Sequence, residues 1–213
     1  MKFCVIGLGR FGYQLAVTLA ENGMEVMAVD SNETIVASIK DKVTHAICMH
    51  VTDEESLYNI GVEEMDTIIV AMGENFAQTI LITALLKKHI KVPYVIARAI
   101  NDIHKEILIL IGADRVILPE KDIGIKLADS LSSPFTDLVR LTKNFSISQI
   151  VAPKQFVGKT IGNLNLFKNY QVHCLGAKKQ EKIISIDKDY VVIEGDRLIF
   201  SGYNQDLEKI TKL

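Results

Sequence analysis

Cys4-Val5-Ile6-Gly7-Leu8-Gly9-Arg10-Phe11-Gly12 is the stretch that decides how this chain folds. A short apolar run ends in G-x-G-x-x-G and opens at once into a helical pattern, in which Phe11, Leu15 and Leu19 recur on one face. Gly7 permits the tight turn out of the strand, Gly9 lets the backbone come close to a pyrophosphate, and Gly12 lets the helix pack tightly on the sheet. The helix N-terminus then offers amide N–H groups without intrahelical acceptors, together with a partial positive charge, to an anion. Gly-rich loops are common, and the motif alone is weak. Here it follows a strand, and an acid stands at the interval that a nucleotide site needs.

That acid is Asp30. It closes a second apolar run, Val26-Met27-Ala28-Val29, and follows Gly9 by about 20 residues, the Rossmann interval for a carboxylate that hydrogen-bonds ribose hydroxyls. A carboxylate there repels a 2′-phosphate, which disfavours NADP. Asp30 also stands before Ser31-Asn32 in a setting suited to capping the next helix, and both roles can hold at once.

Working outward, strand and helix patterns alternate. Short runs at Phe3–Ile6, Glu25–Val29, His45–Met49, Thr67–Ala71, Tyr94–Ala97 and Arg115–Leu118 are mostly rich in Val, Ile and Ala, as strands buried on both faces should be. Thr52-Asp53-Glu54-Glu55 is a capping box, and Asn75 and Asn101 are helix-start signals. Six strands with five intervening helices predict a doubly wound parallel Rossmann sheet of the α/β class over residues 1–118. A crossover helix follows from Lys121 to Ser132, and a short helix is expected from Phe135 to Leu141. Period-two patterns then appear at Ser146–Val151, Tyr170–Leu175, Lys182–Ile186 and Arg197–Phe200, with a turn at Glu194-Gly195-Asp196, giving a small α+β lobe. The expected division is residues 1–133 and residues 134–213. The second piece is marginal for folding alone, which favours pairing with another subunit.

Ligands of such sheets bind at the carboxyl ends of the strands. Ala71-Met72-Gly73 closes the fourth strand; Gly73 would let the backbone pass a nucleotide, or simply make a turn, and Asn75 starts the next helix. His50-Val51-Thr52 follows the third strand, where an adenine would lie. Arg98 closes the fifth and could pair with phosphate, a solvent-facing arginine being the alternative. Arg10 sits inside the Gly loop. A dehydrogenase has no need of a cation there, because the backbone already holds the diphosphate, whereas an added terminal phosphate would use one.

Composition removes other classes. Over 213 residues the formal charge is −2, with both signs interspersed, so no nucleic-acid partner is called for. No run of about 20 apolar residues is present, and the opening residues read as strand rather than signal peptide. Cys4, Cys48 and Cys174 read as buried, reduced thiols of a cytoplasmic protein. The five histidines show no metal-ligand spacing and read as surface or satisfied interior residues. Two rival classes remain. A small NAD-dependent oxidoreductase would need a larger second lobe and an evident acid or base. A DNA-binding repressor would need a helix-turn-helix or a basic patch, and neither is visible.

Gly7-Leu8-Gly9-Arg10-Phe11-Gly12, Ala71-Met72-Gly73-Glu74-Asn75 and the stretch from Gly112-Ala113-Asp114-Arg115 to Pro119-Glu120-Lys121 together resemble RCK-domain proteins, the regulators of potassium conductance that gate Ktr and Trk potassium transporters. Val157-Gly158-Lys159-Thr160-Ile161 and Glu194-Gly195-Asp196-Arg197-Leu198 are similar to the family's C-terminal domain, so the resemblance spans nearly the whole chain. A single two-lobe unit is Ktr-like; Trk-type subunits usually carry two in tandem. The resemblance implies a cytoplasmic subunit at the inner face of the membrane, without catalysis. It implies dimers assembled into an octameric ring, with a membrane potassium-translocating subunit as partner. It implies ATP or ADP in the N-lobe, with NAD or NADH as the Trk-type alternative. By similarity Asp30 and Asn32 would hold ribose, Val51 would line the adenine, and Arg10 and Arg98 would meet phosphates. Glu120 matches a family acid that can take part in binding a divalent cation (Mg²⁺ or Ca²⁺), while its plain reading is a carboxylate favoured by the dipole after Pro119. In the C-lobe the resemblance implies cyclic di-AMP near Ile161, but Phe167 and His173 stand where relatives commonly have Arg and Asn. Phe167 could stack on a base or be core. Met49-His50-Val51-Thr52 replaces the common Gly-Asp-Ala-Thr, so the adenine contact from that Asp is lost.

Overall fold

Short runs of β-branched residues become parallel strands wherever both of their faces can be covered. The computed structural model describes residues 1–73, 75–132, 137–142, 144–180 and 182–213. It divides into two compact units, Met1–Asp122 and Ile123–Leu213.

In the first unit, β1 (Lys2–Ile6), β2 (Glu25–Asp30), β3 (His45–Cys48), β4 (Thr67–Val70), β5 (Tyr94–Arg98) and β6 (Arg115–Ile117) form one sheet of order β3-β2-β1-β4-β5-β6. Every pairing is parallel. Successive residues of a strand point to opposite faces, and the two faces have separate cores. Cys4, Ile6, Ile68 and Val70 pack with Leu57, Ile82 and Leu86 on one side. Val5 and Ile69 pack with Leu8, Ala16, Val36 and Ile39 on the other. Between the strands run α1 (Arg10–Glu21), α2 (Glu33–Ile39), α3 (Glu54–Asn59), α4 (Phe76–Ala84), α5 (Asp102–Leu110) and α6 (Pro119–Ser132), the last continuing beyond the first unit. Strand order reverses between β1 and β4, so the loops after these two strands diverge and leave a crevice at their carboxyl ends.

Local capping fixes where the helices begin. Asn32, Asn75 and Asn101 are the N-caps of α2, α4 and α5, each accepting from a backbone amide of the first turn. The capping box before α3 lies one residue later than Thr52-x-x-Glu55. Asp53 is the cap, accepting from Ser56 N, and Ser56 Oγ takes the Asp53 amide in return.

The second unit's antiparallel sheet has the order β10-β9-β11-β8-β7. Its strands are β7 (Asp137–Arg140), β8 (Phe145–Val151), β9 (His173–Lys179), β10 (Lys182–Ile184) and β11 (Arg197–Tyr203). Helices α7 (Ile161–Leu164), α8 (Leu166–Tyr170) and α9 (Asn204–Thr211) complete it. Phe156, Leu166, Val172, Leu198, Phe200, Leu207 and Ile210 form its core.

Three expectations need correction. The helix expected from Phe135 to Leu141 is a strand where it is described, because Asp137 to Arg140 pair with Gln149 to Ser146 in antiparallel register; residues 135 and 136 lie outside the described residues. The strand expected from Tyr170 starts at His173, because α8 runs to Tyr170 and Gln171, at φ +58°, ends it. Cys48 is exposed and Cys174 only half-buried, although Cys4 is fully buried and its thiol is pushed up to about 12 by that burial. Cys48 is the last residue of a strand at the sheet edge, where one flank has no neighbour. Among the described residues no helix is long and apolar enough to cross a membrane.

Candidate nucleotide-binding cleft

The glycine loop is held by backbone that tolerates no side chain at two points. Gly7 has φ +96°, and a Cβ there would lie 2.8 Å from Met72 Cγ; its amide donates to Val29 O at 2.8 Å. A Cβ on Gly12 would lie 1.9 Å from Gly7 O, which fixes α1 hard against the end of β1. Gly9 differs, because a Cβ there would meet no atom within 4 Å. Gly9 is the N-cap of α1, and the helix's first backbone bond runs from Tyr13 N to Gly9 O. The amides of Arg10, Phe11 and Gly12 therefore precede the hydrogen-bonded ladder, and no acidic residue stands in the first turn. The result is an open patch of oriented N–H groups with the positive end of a dipole behind it.

Asp30 braces this loop. Its carboxylate accepts from the Leu8 amide at 2.6 Å and from the Asn32 amide at 2.8 Å. Asn32 rather than Asp30 caps α2, accepting from Thr34 N at 3.0 Å and Ile35 N at 3.3 Å. Asp30 thus ties the end of β2 to the glycine turn while its outer face lines the cleft.

Across the switch point, the loop after β4 is held by Thr79 Oγ1 donating to Met72 O at 2.8 Å. Gly73 is small for a specific reason: a Cβ there would sit 2.1 Å from Arg98 Nη1, so the guanidinium lies across it. Arg98 Nη2 donates to Glu120 Oε1 at 2.5 Å, and the Arg98 side chain is only 17% exposed. Its Nε is buried and finds no acceptor among the described residues.

These elements line one cleft of about 1120 Å³. The cleft brings together Gly7, Gly9, Arg10, Phe11, Asp30, Asn32, Ala71, Gly73, Asn75, Arg98 and Glu120. Gly12 is buried beneath the wall. Val51, itself in the core, lines a neighbouring cavity of about 100 Å³ with Asp30, Met49, His50 and Gln78.

Gln78 lines both cavities and was not singled out from sequence. Its Nε2 donates to Val51 O at 2.5 Å and its Oε1 accepts from Asn75 Nδ2 at 3.0 Å, linking the loop after β3 to the start of α4. A signal existed: Asn75-x-x-Gln78 has capping-box spacing. Gln14, Thr18 and Ile35 also line the large cleft.

The remaining expected residues are placed as follows. Among the described residues no group of three or more His, Cys, Asp or Glu side chains gathers as a metal site, and Glu120 faces Arg98. Phe167 and His173 stack on one another, with ring centroids 4.7 Å apart and planes 24° apart, while Ile161 packs against the second unit's core. His104 is not a satisfied interior histidine. Nδ1 accepts from Ile100 N at 3.3 Å, but Nε2 has no partner among the described residues, and Phe76 covers the ring at 4.4 Å. Burial holds its pKa below the usual histidine range.

Comparison with known proteins agrees with this geometry. Residues 3–119 match the TrkA-N domain and residues 147–213 the TrkA-C domain. Ktr system potassium uptake protein A of Bacillus subtilis is 36% identical over 210 residues, covering 98% of this chain and 94% of that protein. Among solved structures, the GsuK channel bound to NAD superposes with a TM-score of 0.68 at 17% identity, covering 99% of this chain and 39% of that one. GsuK bound to ADP superposes with a TM-score of 0.53 at 23% identity, over 61% of this chain and 33% of that one. At such identities the likeness is one of fold, and this chain spans well under half of either GsuK chain.

Proposed function

The chain belongs to the family built from TrkA-N and TrkA-C domains, the family of the Ktr potassium uptake proteins, and from that premise we propose that it is a nucleotide-sensing regulatory subunit of a potassium transporter. The ligand is an adenine nucleotide, ATP or ADP first and NAD or NADH second, held in the cleft after β1 and β4. One observation carries the reading: the α1 amides face open space above Gly9, with Asp30 behind the loop and the under-satisfied Arg98 across the cleft. The donor set suits a ribose diphosphate. Asp30 and Asn32 stand on the ribose side, the α1 amides and Arg10 on the phosphate side, and Val51 beside the smaller cavity for the base. That solved channels of this fold hold NAD and ADP supports the same class.

Sensing rather than turnover is favoured by what lines the large cleft. Among the described residues its hydroxyl and carboxyl groups are Thr18, Asp30 and Glu120; Asp30 is held by the Leu8 and Asn32 amides and Glu120 by Arg98, and no Lys, His, Tyr, Ser or Cys stands in the wall as an evident hydride-transfer acid or base. Self-association into a dimer-based octameric ring is part of the proposal. Ile103, Ile109 and Leu110 on α5 lie exposed, Leu110 at 81%, as do Ile123, Leu127 and Leu131 on α6. Ring subunits whose shape differs between ATP and ADP convert nucleotide identity into gating, by no more than the nucleotide's differential affinity for the two shapes.

Thermal shift with ATP, ADP, NAD, NADH and NADP tests the site, because a ligand that binds only the folded state raises Tm by mass action. Stabilisation by the first four and not by NADP is expected; no shift with any adenine nucleotide at millimolar concentration refutes the proposal. Cyclic di-AMP, added to the screen as a sixth compound, is told apart because its stabilisation should survive Asp30→Ala and vanish in Phe167→Ala. Arg10→Ala should weaken ATP more than ADP if Arg10 reads the terminal phosphate, and equal losses by calorimetry would remove that role.

A further inference from the structure

We propose that Glu120 is the resting counter-ion of Arg98, displaced from it when the charged end of a nucleoside di- or triphosphate enters the cleft. This rests on the nucleotide reading above and assigns that site a built-in exchange.

Arg98 is prepared for a second partner. Its guanidinium is pinned over Gly73, whose missing side chain is what leaves room for it. The side chain is 17% exposed, yet Nε is buried without an acceptor among the described residues, so the present state leaves one N–H of a cation unmet. Glu120 is the opposite case. It is 70% exposed and meets Arg98 through one oxygen on Nη2. An ion pair with so exposed a partner holds weakly, and Glu120 regains water on leaving. A phosphate carries more charge than a carboxylate and can accept from two guanidinium nitrogens at once. Both side chains line the cleft that holds the α1 amides, so the exchange happens where the diphosphate would lie.

The displaced carboxylate is not stranded. Glu120 stands in the first turn of α6, where the dipole favours an anion with or without Arg98. Lys121, next in that turn, is held separately by Asp102, at 2.7 Å and 2.8 Å to its two oxygens. Occupancy of the cleft is therefore registered as a change of partner at the first turn of α6, while Lys121 keeps its anchor.

The test is calorimetry on the full chain in EDTA, which keeps any divalent-cation role of Glu120 out of the measurement, with ATP, ADP and adenosine. Glu120→Gln should tighten ATP and ADP by about two- to fivefold, the release of an exposed ion pair, and leave adenosine unchanged. Arg98→Gln should weaken both by about tenfold or more. In Arg98→Gln/Glu120→Gln the gain should disappear, since the cycle isolates the pair. A Glu120→Gln protein that binds ATP equally or more weakly in EDTA overturns the proposal. So does a gain that survives in the double variant, because that would be diffuse charge rather than a shared arginine. A Tm for unliganded Glu120→Gln within about 4 °C of the parent, the size expected from losing one exposed ion pair, establishes that the variant is folded. If the parent itself binds no nucleotide, the underlying reading fails instead, and the two failures cannot be confused.

Discussion

The three glycines of the loop make a sharp prediction, because a methyl group at Gly9 and one at Gly12 have opposite consequences. At Gly9 the added Cβ meets nothing within 4 Å, and the backbone at φ −61°, ψ −177° is open to any residue. Losing a glycine from the unfolded chain and losing a favourable N-cap roughly cancel, so Gly9→Ala should keep its unliganded stability to within about 1 kcal/mol. The methyl does occupy the space in front of the α1 amides. Overpacking of that kind costs about 1–3 kcal/mol, which is roughly five- to 150-fold in affinity for a diphosphate seated there. At Gly12 the Cβ would be 1.9 Å from Gly7 O, a main-chain atom with no rotamer to escape into, so α1 must back away from the sheet. Gly12→Ala should lose about 3 kcal/mol or more and melt roughly 6–12 °C lower. Scanning calorimetry without ligand, followed by titration with ADP, separates the two. A Gly9→Ala protein that binds ADP as tightly as the parent would mean the diphosphate is not on these amides. A Gly9→Ala protein as unstable as Gly12→Ala would mean the loop is built differently.

Asp30→Ala removes the acceptor of the Leu8 and Asn32 amides, so it should lower stability by about 2 kcal/mol as well as abolish ADP binding; loss of binding without loss of stability, by denaturant titration, would assign Asp30 to ribose alone. His104 should make the protein acid-sensitive. Its folded pKa lies below the ordinary histidine value of 6.5, so the unfolded chain binds the extra proton first and stability falls as pH drops below that value; His104→Leu should flatten the slope of stability against pH in this window. In the second unit, burial raises the Asp196 pKa, but the hydrogen bonds from Lys179, the Ile193 amide and Tyr190 outweigh it and leave the carboxyl low. Its contribution should be complete above the ordinary aspartate value of 3.8 and fade below it, and Asp196→Ala should cost about 2–3 kcal/mol at neutral pH by chemical denaturation.

How far the residues themselves announced this outcome depends on the range of the interactions. The parallel sheet was legible because its strands are covered on both faces and so read as unbroken apolar runs, each closed by a capping residue a few positions on. Asp30 could be singled out because a carboxylate expected beside a ribose sits at a fixed interval from the glycine turn, while the brace it makes to the Leu8 and Asn32 amides had no signal in the sequence. The second unit was read less well. Asp137–Arg140 is a strand only because β8 offers it a register, and the shift between Ile199 and Phe200 in the β11–β9 pairing has no local signature. Cys48 was misjudged for a related reason, since an apolar run does not say whether its strand lies inside the sheet or at the edge.

The cleft repeats the distinction at the level of single side chains. A glycine at position 73 is compatible with a plain turn until Arg98 is seen lying across it, and Arg98 with its alternative reading as a solvent-facing cation until its Nε is found buried. Glu120 reads as an ordinary first-turn acid until its oxygen is found on that same guanidinium. Each residue has a sufficient local explanation, and each local explanation is incomplete. Their joint meaning depends on β4 and β5 ending, and α6 beginning, at one place, which is set by the order in which the strands pair. If the three act as a unit, Gly73→Ala must behave like a mutation of the arginine: the displaced atom is the end of a flexible side chain, so folding should be little affected, while ATP and ADP weaken about as much as in Arg98→Gln. A Gly73→Ala protein that melts and binds like the parent would show that the guanidinium can move aside freely, and that its place over the glycine has no bearing on the ligand.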